Sequence, residues 1–413
     1  MKSTIFTGFA PNLNTSDTIR ACQLLFCPWR WRVGDSGTKA VQWLEQFFGT
    51  TVFLCDSGRS ALAIALRGLG IKAGDEVLVQ AFTCLVVINA IRSVGGVPVY
   101  VDIGRDFNMD PADVAKKITP QTKVIIIQHT FGIPAPMSQL LDIAKKYSLL
   151  TIEDSAHALG GTFGGKKLGT FGDLAIITFG SDKVVSCVRG GGIIVNNRMF
   201  QVTISKLVQE LPLPPRRVVL QHLLHYPFFG IGKRLYSLGV GKAILWLAHN
   251  LCLISRTIYP EEKRGEPMRH FPTKLANGLA SLLIRQLDGL TANIAHRRLV
   301  AKKYEAVINN PHIVLPLKDT PVDTGSIYLR YPVLVKKSYQ LYLHARKQGI
   351  ILGNWYDAVV SPCVNGCKHT QYSFGSCRAA ELVSRQSVNL PTDLIIGDGE
   401  ARRIIECLNS YKG

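Results

Sequence analysis

Between residues 52 and 197 short apolar runs alternate with amphipathic segments, and few folds accept that alternation. It is the pattern of strands and helices in a mostly parallel sheet, so the fold class is α/β. Strands are predicted at 77–80, 97–101, 124–128, 150–153, 174–179 and 192–196, with helices at 60–69, 85–94 and 137–147. Most of the polar residues of interest fall where one of these strands ends, which is where open parallel sheets bind ligands.

The organisation changes beyond residue 200. We divide the chain into an N-terminal segment and helix (1–50), a large domain (51–200), a helical insertion (200–272), a linking long helix (273–310, with its helical part at 274–304) and a small α+β domain (311–413). The insertion threads basic residues through clusters such as Tyr226-Pro227-Phe228-Phe229 and the apolar stretch from Ala243 to Ile254. That stretch is shorter than the roughly 20 residues that span a bilayer. Two readings stay open for 200–270: a helical region packed on its own domain or on a dimer partner, and one lying on a membrane surface.

With 47% hydrophobic and 19% charged residues, the chain has the composition of an ordered globular protein. A formal charge of +19 favours anionic partners, among them nucleotide diphosphates, nucleic acid and acidic lipid. Neither zinc-finger spacing, nor a basic helix beside a zipper, nor an aromatic-glycine RNA motif is seen, and no nucleic-acid partner is expected. The ten cysteines are scattered and read as free thiols; Cys363, Cys367 and Cys377 match no strong zinc pattern, so no metal is expected. Residues 1–10 resemble neither a secretory signal nor a span, and a cytoplasmic location is expected, with membrane association as the second reading.

Two residues carry the chemical argument. Asp154 closes the apolar strand Leu150-Thr151-Ile152-Glu153, and Lys183 follows the strand at 174–179 within Phe179-Gly180-Ser181-Asp182-Lys183. A carboxylate at a strand end leans toward burial and needs a cationic partner, which a protonated pyridine nitrogen would be. A lysine of lowered pKa can form an imine, and the turn Asp56-Ser57-Gly58-Arg59-Ser60 opens a helix whose amides can hold a phosphate. By itself that turn is weak evidence, since serine after such a turn caps many helices that bind nothing.

These residues, together with Gly74-Asp75-Glu76-Val77, Glu153-Asp154-Ser155-Ala156-His157-Ala158 and Gly169-Thr170-Phe171-Gly172-Asp173, resemble in order and spacing the DegT/DnrJ-type sugar aminotransferases. The resemblance runs from about 34 to 412. It implies a fold-type I, aspartate-aminotransferase-like large domain with a mostly parallel seven-stranded sheet, and a small α+β C-terminal domain. It also implies pyridoxal 5'-phosphate as cofactor, an amino-acid donor (glutamate in most of the family), a keto-sugar acceptor, commonly nucleotide-linked, and a homodimer. Lys183 would be the Schiff-base lysine and proton shuttle, and Asp154 the partner of the pyridine nitrogen. His157 would lie near the ring oxygen. Gly58 and Arg59 would give amides to the phosphate, with Ser60 and Thr178 in support.

The departures are as informative. Cys84 stands where the family has an aromatic residue stacking on the cofactor, and Arg59 replaces a threonine. Arg189 replaces a glutamate before the glycines, adding a cation expected to lower the Lys183 pKa. Pro272-Thr273-Lys274 stands for the segment by which a neighbouring subunit reaches the phosphate, with Lys274 as the candidate cross-subunit contact. A dehydrating branch of the family has histidine in place of the lysine, and Lys183 argues against that branch. Two other readings stay open: an inactive scaffold serving as a regulatory or membrane-associated partner, and an enzyme of the same fold acting on a non-sugar ketone.

Overall fold

The computed structural model describes residues 3–8, 10, 12–267, 271–318, 325–363 and 367–413. Runs such as Val124-Ile125-Ile126-Ile127 are stable only in a sheet covered on both faces, and here each of these residues is at most 1% exposed. The seven-stranded sheet runs in the order Thr51–Cys55, Gly191–Val195, Leu174–Thr178, Leu150–Asp154, Thr122–Gln128, Glu76–Gln80 and Val97–Val101. Only Gly191–Val195 runs antiparallel to its neighbours. Helices on the two faces bury separate clusters, one around Leu62, Leu66 and Ile88, the other around Leu44, Leu282 and Leu283, while Met137 and Leu140 close a third.

The register decides which residues meet. Leu150–Asp154 and Leu174–Thr178 are parallel neighbours with Asp154 opposite Ile176, so the carboxylate and the chain leading to Lys183 leave the sheet at the same edge. Behind them the helix Gly58–Gly68 begins at its cap Ser57 beside Thr178.

The C-terminal part pairs Tyr331–Leu334 antiparallel with Ser387–Leu390 and packs the helices Ser338–Lys347 and Asp398–Asn409 beside them. Two strand pairings help to tie it to the rest. Ile5–Phe6 adds a parallel strand to Ile350–Ile351, and Val360–Ser361 pairs with Thr83–Cys84 at the mouth of the large sheet. The second pairing draws the 354–362 segment over the strand exits.

At the centre of the insertion two helices, Arg216–Arg234 and Val240–Asn250, cross closely. A Cβ on Gly241 would lie 2.1 Å from the Gly232 carbonyl oxygen, so the crossing needs glycine there. The first of them, Arg216–Arg234, packs on the N-terminal helix Thr15–Leu25. Among the described residues no helix is long and apolar enough to cross a membrane.

Two expectations are corrected. The single helix at 274–304 is two, Asn277–Asp288 and Leu290–Val307, broken at Gly289, where the low helix propensity of glycine lets the chain turn. The cysteines are not all free, because Cys363 and Cys367 form a disulfide across a Cα separation of 5.5 Å, a short-range closure that sequence spacing did not suggest. The other eight are thiols.

Candidate active site

A cavity of about 430 Å³ opens at the strand exits, and Lys183, Asp154, His157 and Thr178 line it together with Gly58, Arg59 and Cys84. Ser60 sits just beneath, its hydroxyl 2.9 Å from that of Ser57. Lys274 lies elsewhere. It borders a separate small void beside Asp56 and Arg189.

Asp154 is 4% exposed. One oxygen accepts the Ala156 N–H at 3.0 Å, and among the described residues no cation stands within ion-pair distance. Burial pushes its pKa up, against the pull of that amide, Lys183 and His129. A buried carboxylate without a cation is costly unless a partner arrives, and a protonated ring nitrogen is such a partner.

Lys183 is the complementary case. Burial lowers its ammonium to about 8, and Arg330 adds to the fall, while Cys84, Asp154 and Asp182 act the other way. The expected influence of Arg189 is therefore corrected: that guanidinium is spent on Asp56, which it meets at 3.2 and 3.3 Å, and it covers the ring of Phe271. Arg330 is the cation that bears on the lysine. It is buried, lies 3.9 Å from Asp182 and packs 3.4 Å from the centre of the Trp355 ring, which stands 4.9 Å from Lys183 Nζ.

The phosphate turn has the geometry to bind an anion. Ser57 caps the helix by accepting the Ser60 N–H at 3.3 Å, and its carbonyl takes the Ala61 N–H, which leaves the amides of Gly58 and Arg59 as the open first turn. Glycine is required at two places. A Cβ on Gly58 would sit 2.7 Å from that of Thr178, and one on Gly191 would lie 2.3 Å from the Ser57 carbonyl carbon. The Arg59 side chain turns away from the turn, pairing with Glu262 and donating to the Thr257 carbonyl at 2.7 Å. It thus fixes the 257–262 segment at the cavity mouth.

His157 is buried, and burial, followed by Lys183 and Arg330, lowers its pKa well below the usual value. Its Nδ1 accepts the Phe131 N–H at 3.2 Å, so in the neutral ring the proton sits on Nε2, 3.4 Å from the Tyr356 hydroxyl. Its ring stacks on Trp355 at 5.3 Å. Cys84 offers no ring, and Trp355 and Tyr356 from the C-terminal part supply the aromatic surface instead. These two residues and Arg330 escaped sequence reasoning, since nothing in their local pattern separates them from core aromatics and a surface cation.

The cavity thus fits a flat, phosphorylated, nitrogen-containing ring: an open helix turn for the phosphate, a buried carboxylate wanting a cation, a lysine of depressed pKa, and aromatic walls.

The model of the DegT/DnrJ/EryC1/StrS aminotransferase family matches residues 30–210 and 253–409. GDP-perosamine synthase of Escherichia coli O157:H7 is 38% identical over 152 residues, which are 37% of this chain and 41% of that protein. The chain thus spans about two-fifths of the length of the first curated relatives it matches. A longer alignment joins it to dTDP-3-amino-3,4,6-trideoxy-alpha-D-glucose transaminase of Streptomyces venezuelae, 28% identical over 360 residues, 86% of this chain and 81% of that one. Among solved structures, S. venezuelae DesV superposes with a TM-score of 0.74 at 23% identity, covering 99% of this chain and 98% of that chain. The aminotransferase from Psychrobacter cryohalolentis gives 0.75 at 17%, covering 97% of each. At such identities the superpositions speak for the fold.

Proposed function

The chain belongs to the DegT/DnrJ/EryC1/StrS aminotransferase family, and from that premise we propose that it moves an amino group from an amino acid, glutamate by preference, to a nucleotide-linked keto-sugar. The observation that carries this reading is the pair that lines one cavity, a buried carboxylate with no cation at ion-pair distance among the described residues and a lysine whose ammonium is held down to about 8.

Pyridoxal phosphate, held by the Gly58 and Arg59 amides, Thr178 and Asp154, would supply the electron sink that makes the Cα–H bond of the donor acidic. The chain supplies the rest. Lys183 Nζ, partly neutral near pH 8, takes the proton from the donor Cα and delivers it again on the acceptor side. Asp154 holds a positive charge at the ring nitrogen, and its burial strengthens that hold. His157 stays neutral and offers Nε2–H as a fixed donor. Trp355 and Tyr356 shield the lysine from bulk water. The net charge of +19 draws a diphosphate-bearing acceptor toward the cleft.

Absorbance of the purified, pyridoxal-phosphate-loaded protein before and after glutamate tests the first half-reaction: a shift of the visible band supports the reading, and an unchanged band refutes it. A panel of nucleotide-linked keto-sugars and simple keto acids then identifies the acceptor.

Two partner assignments extend the proposal. Lys274 lies outside the cavity of its own subunit, which supports its service to a second copy; an active monomer on size exclusion would count against a dimer. Between Glu210 and Glu261 there is no acidic residue, while Arg216, Arg217, Lys233, Arg234, Lys242 and Arg256 all fall there. Trp246, Leu247 and Leu251 are exposed on the same stretch, and this supports contact with an anionic lipid face. Flotation with anionic but not neutral vesicles is the expected result.

A further inference from the structure

Arg59, Lys183, Arg189, Arg256 and Lys263 line the cavity, and their partners sort them. The Arg59 guanidinium pairs with Glu262, and that of Arg189 with Asp56. Lys183 is the amine that carries the proposed chemistry. Arg256 and Lys263 remain, and among the described residues neither side chain makes a hydrogen bond or an ion pair. Arg256 is half-buried and Lys263 exposed, so both charged heads reach the solvent of the cleft. They stand on one wall, residues 255–263, that the rest of the same chain holds in place. Arg59 donates to the Thr257 carbonyl at 2.7 Å and Asn89 to the Glu262 carbonyl at 2.8 Å. Within the wall, Glu262 accepts the Tyr259 N–H at 2.9 Å. Cations on an anchored wall lose less freedom on binding than cations on a loose one.

We propose that Arg256 and Lys263 form the subsite for the diphosphate of a nucleotide-linked acceptor, with Arg256 as the residue that sets selectivity for it. The proposal rests on the reading of the chain as an aminotransferase of nucleotide-linked keto-sugars, and it names the side chains that hold the charged part of the acceptor.

Three kinds of anion enter such a cleft, and position and charge separate them. The phosphate of the cofactor has the open amides of Gly58 and Arg59. The α-carboxylate of the donor is bonded to the carbon whose proton Lys183 takes, so it belongs at the floor, and the side-chain carboxylate of glutamate carries a single charge. A diphosphate lies a sugar ring away from the carbon that accepts nitrogen, carries two charges and continues outward into a nucleoside. Arg256 and Lys263 match it on both counts, as two cations on the solvent side of a floor where Asp154 is 4% exposed. A guanidinium takes two phosphate oxygens in parallel hydrogen bonds, whereas an ammonium acts as a point charge, which gives Arg256 the larger share of the discrimination.

Calorimetry of the pyridoxal-phosphate-loaded protein with UDP, GDP and dTDP, each set against its own nucleoside, tests this. One diphosphate is expected to bind more tightly than its nucleoside. Arg256→Met keeps much of the side-chain length and removes the charge; it should cut that margin about tenfold, and Lys263→Met should cut it less. Arg256→Lys should recover part of the margin, and thermal melting of each variant reports on folding. In steady state Arg256→Met should raise the KM for the keto-sugar conjugate, with a much smaller change in kcat. A margin untouched in the double variant Arg256→Met, Lys263→Met overturns the proposal. A glutamate step weakened as much as diphosphate binding also overturns it and assigns the two cations to the donor. If the native protein responds to glutamate but binds no diphosphate better than its nucleoside, the subsite and the nucleotide-linked acceptor fall together while the aminotransferase reading stands. Silence toward glutamate refutes the transfer reading alone, and the diphosphate margin still decides the subsite.

Discussion

Glu153 and Asp154 are neighbours on one strand, yet they face opposite sides of the sheet and lead opposite lives. Glu153 is fully saturated: the Gly169 amide binds one oxygen, the Phe171 amide binds the other at 2.9 Å, and His129 Nε2 lies 3.0 Å away. Asp154 accepts one amide and borders the cavity. The same residue class at the same depth thus serves architecture on one face and awaits a ligand on the other. What separates them is how many partners the fold provides. A buried polar group that the chain satisfies holds the chain together, and one that it leaves unsatisfied is a reason to look for something else.

That contrast can be broken in four ways. The largest effect belongs to the cavity side: Lys183→Ala should remove activity and the borohydride-reducible attachment of pyridoxal phosphate entirely, with melting of the cofactor-free protein nearly unchanged. Asp154→Asn should lower activity by about a hundredfold or more and weaken cofactor retention, in line with the loss of a preorganised charge. Its effect on the cofactor-free fold has the other sign. Because burial raises the Asp154 pKa, the folded chain holds that proton more tightly than the unfolded chain does, and the ionised group costs stability at neutral pH. Denaturation of the cofactor-free Asn variant should show equal or greater stability.

Glu153→Ala should do the reverse. It strands the Gly169 and Phe171 amides, so urea denaturation should show a loss of about 3 kcal/mol. The residual folded fraction should still bind pyridoxal phosphate. The smallest and most specific effect is on pH. Only the neutral amine can attack the cofactor, so its rate of capture by Lys183 should climb about tenfold per pH unit and level off near 8, not near the ordinary lysine value. Stopped-flow absorbance across pH 6 to 10 measures this. Arg330→Met should move the plateau to higher pH, since a cation that depresses the lysine is gone.

The half of the comparison that faces the cavity floor was legible in the sequence. Asp154 and Lys183 each sit at the end of a strand expected from periodicity, whereas the strand Thr51–Cys55 that leads into the 56–62 turn was not among the expected ones. The saturation of Glu153 was not legible, because its amides come from a turn more than a dozen residues on. Arg330, Trp355 and Arg256 come from segments far from the motif-bearing strands, and only the pairing of Val360–Ser361 with Thr83–Cys84 and the packing of the insertion bring such segments to the cleft. Arg189 shows the opposite error. Its place before the glycines is plain in the sequence, but its charge is absorbed by Asp56, 133 positions away. The break at Gly289 turned on one residue of poor helix propensity inside an otherwise periodic run.

The two ends of the 212–274 excursion meet, the Lys274 N–H donating to the Pro212 carbonyl at 2.9 Å. Strand and loop ends that touch make a seam, and whatever length of chain is spliced into a seam costs only a slowly growing loop-closure entropy. The sheet below need not register how long the detour is. A protein built this way can exchange the wall of its cleft and keep the catalytic floor, which is a route by which one scaffold comes to serve many acceptors.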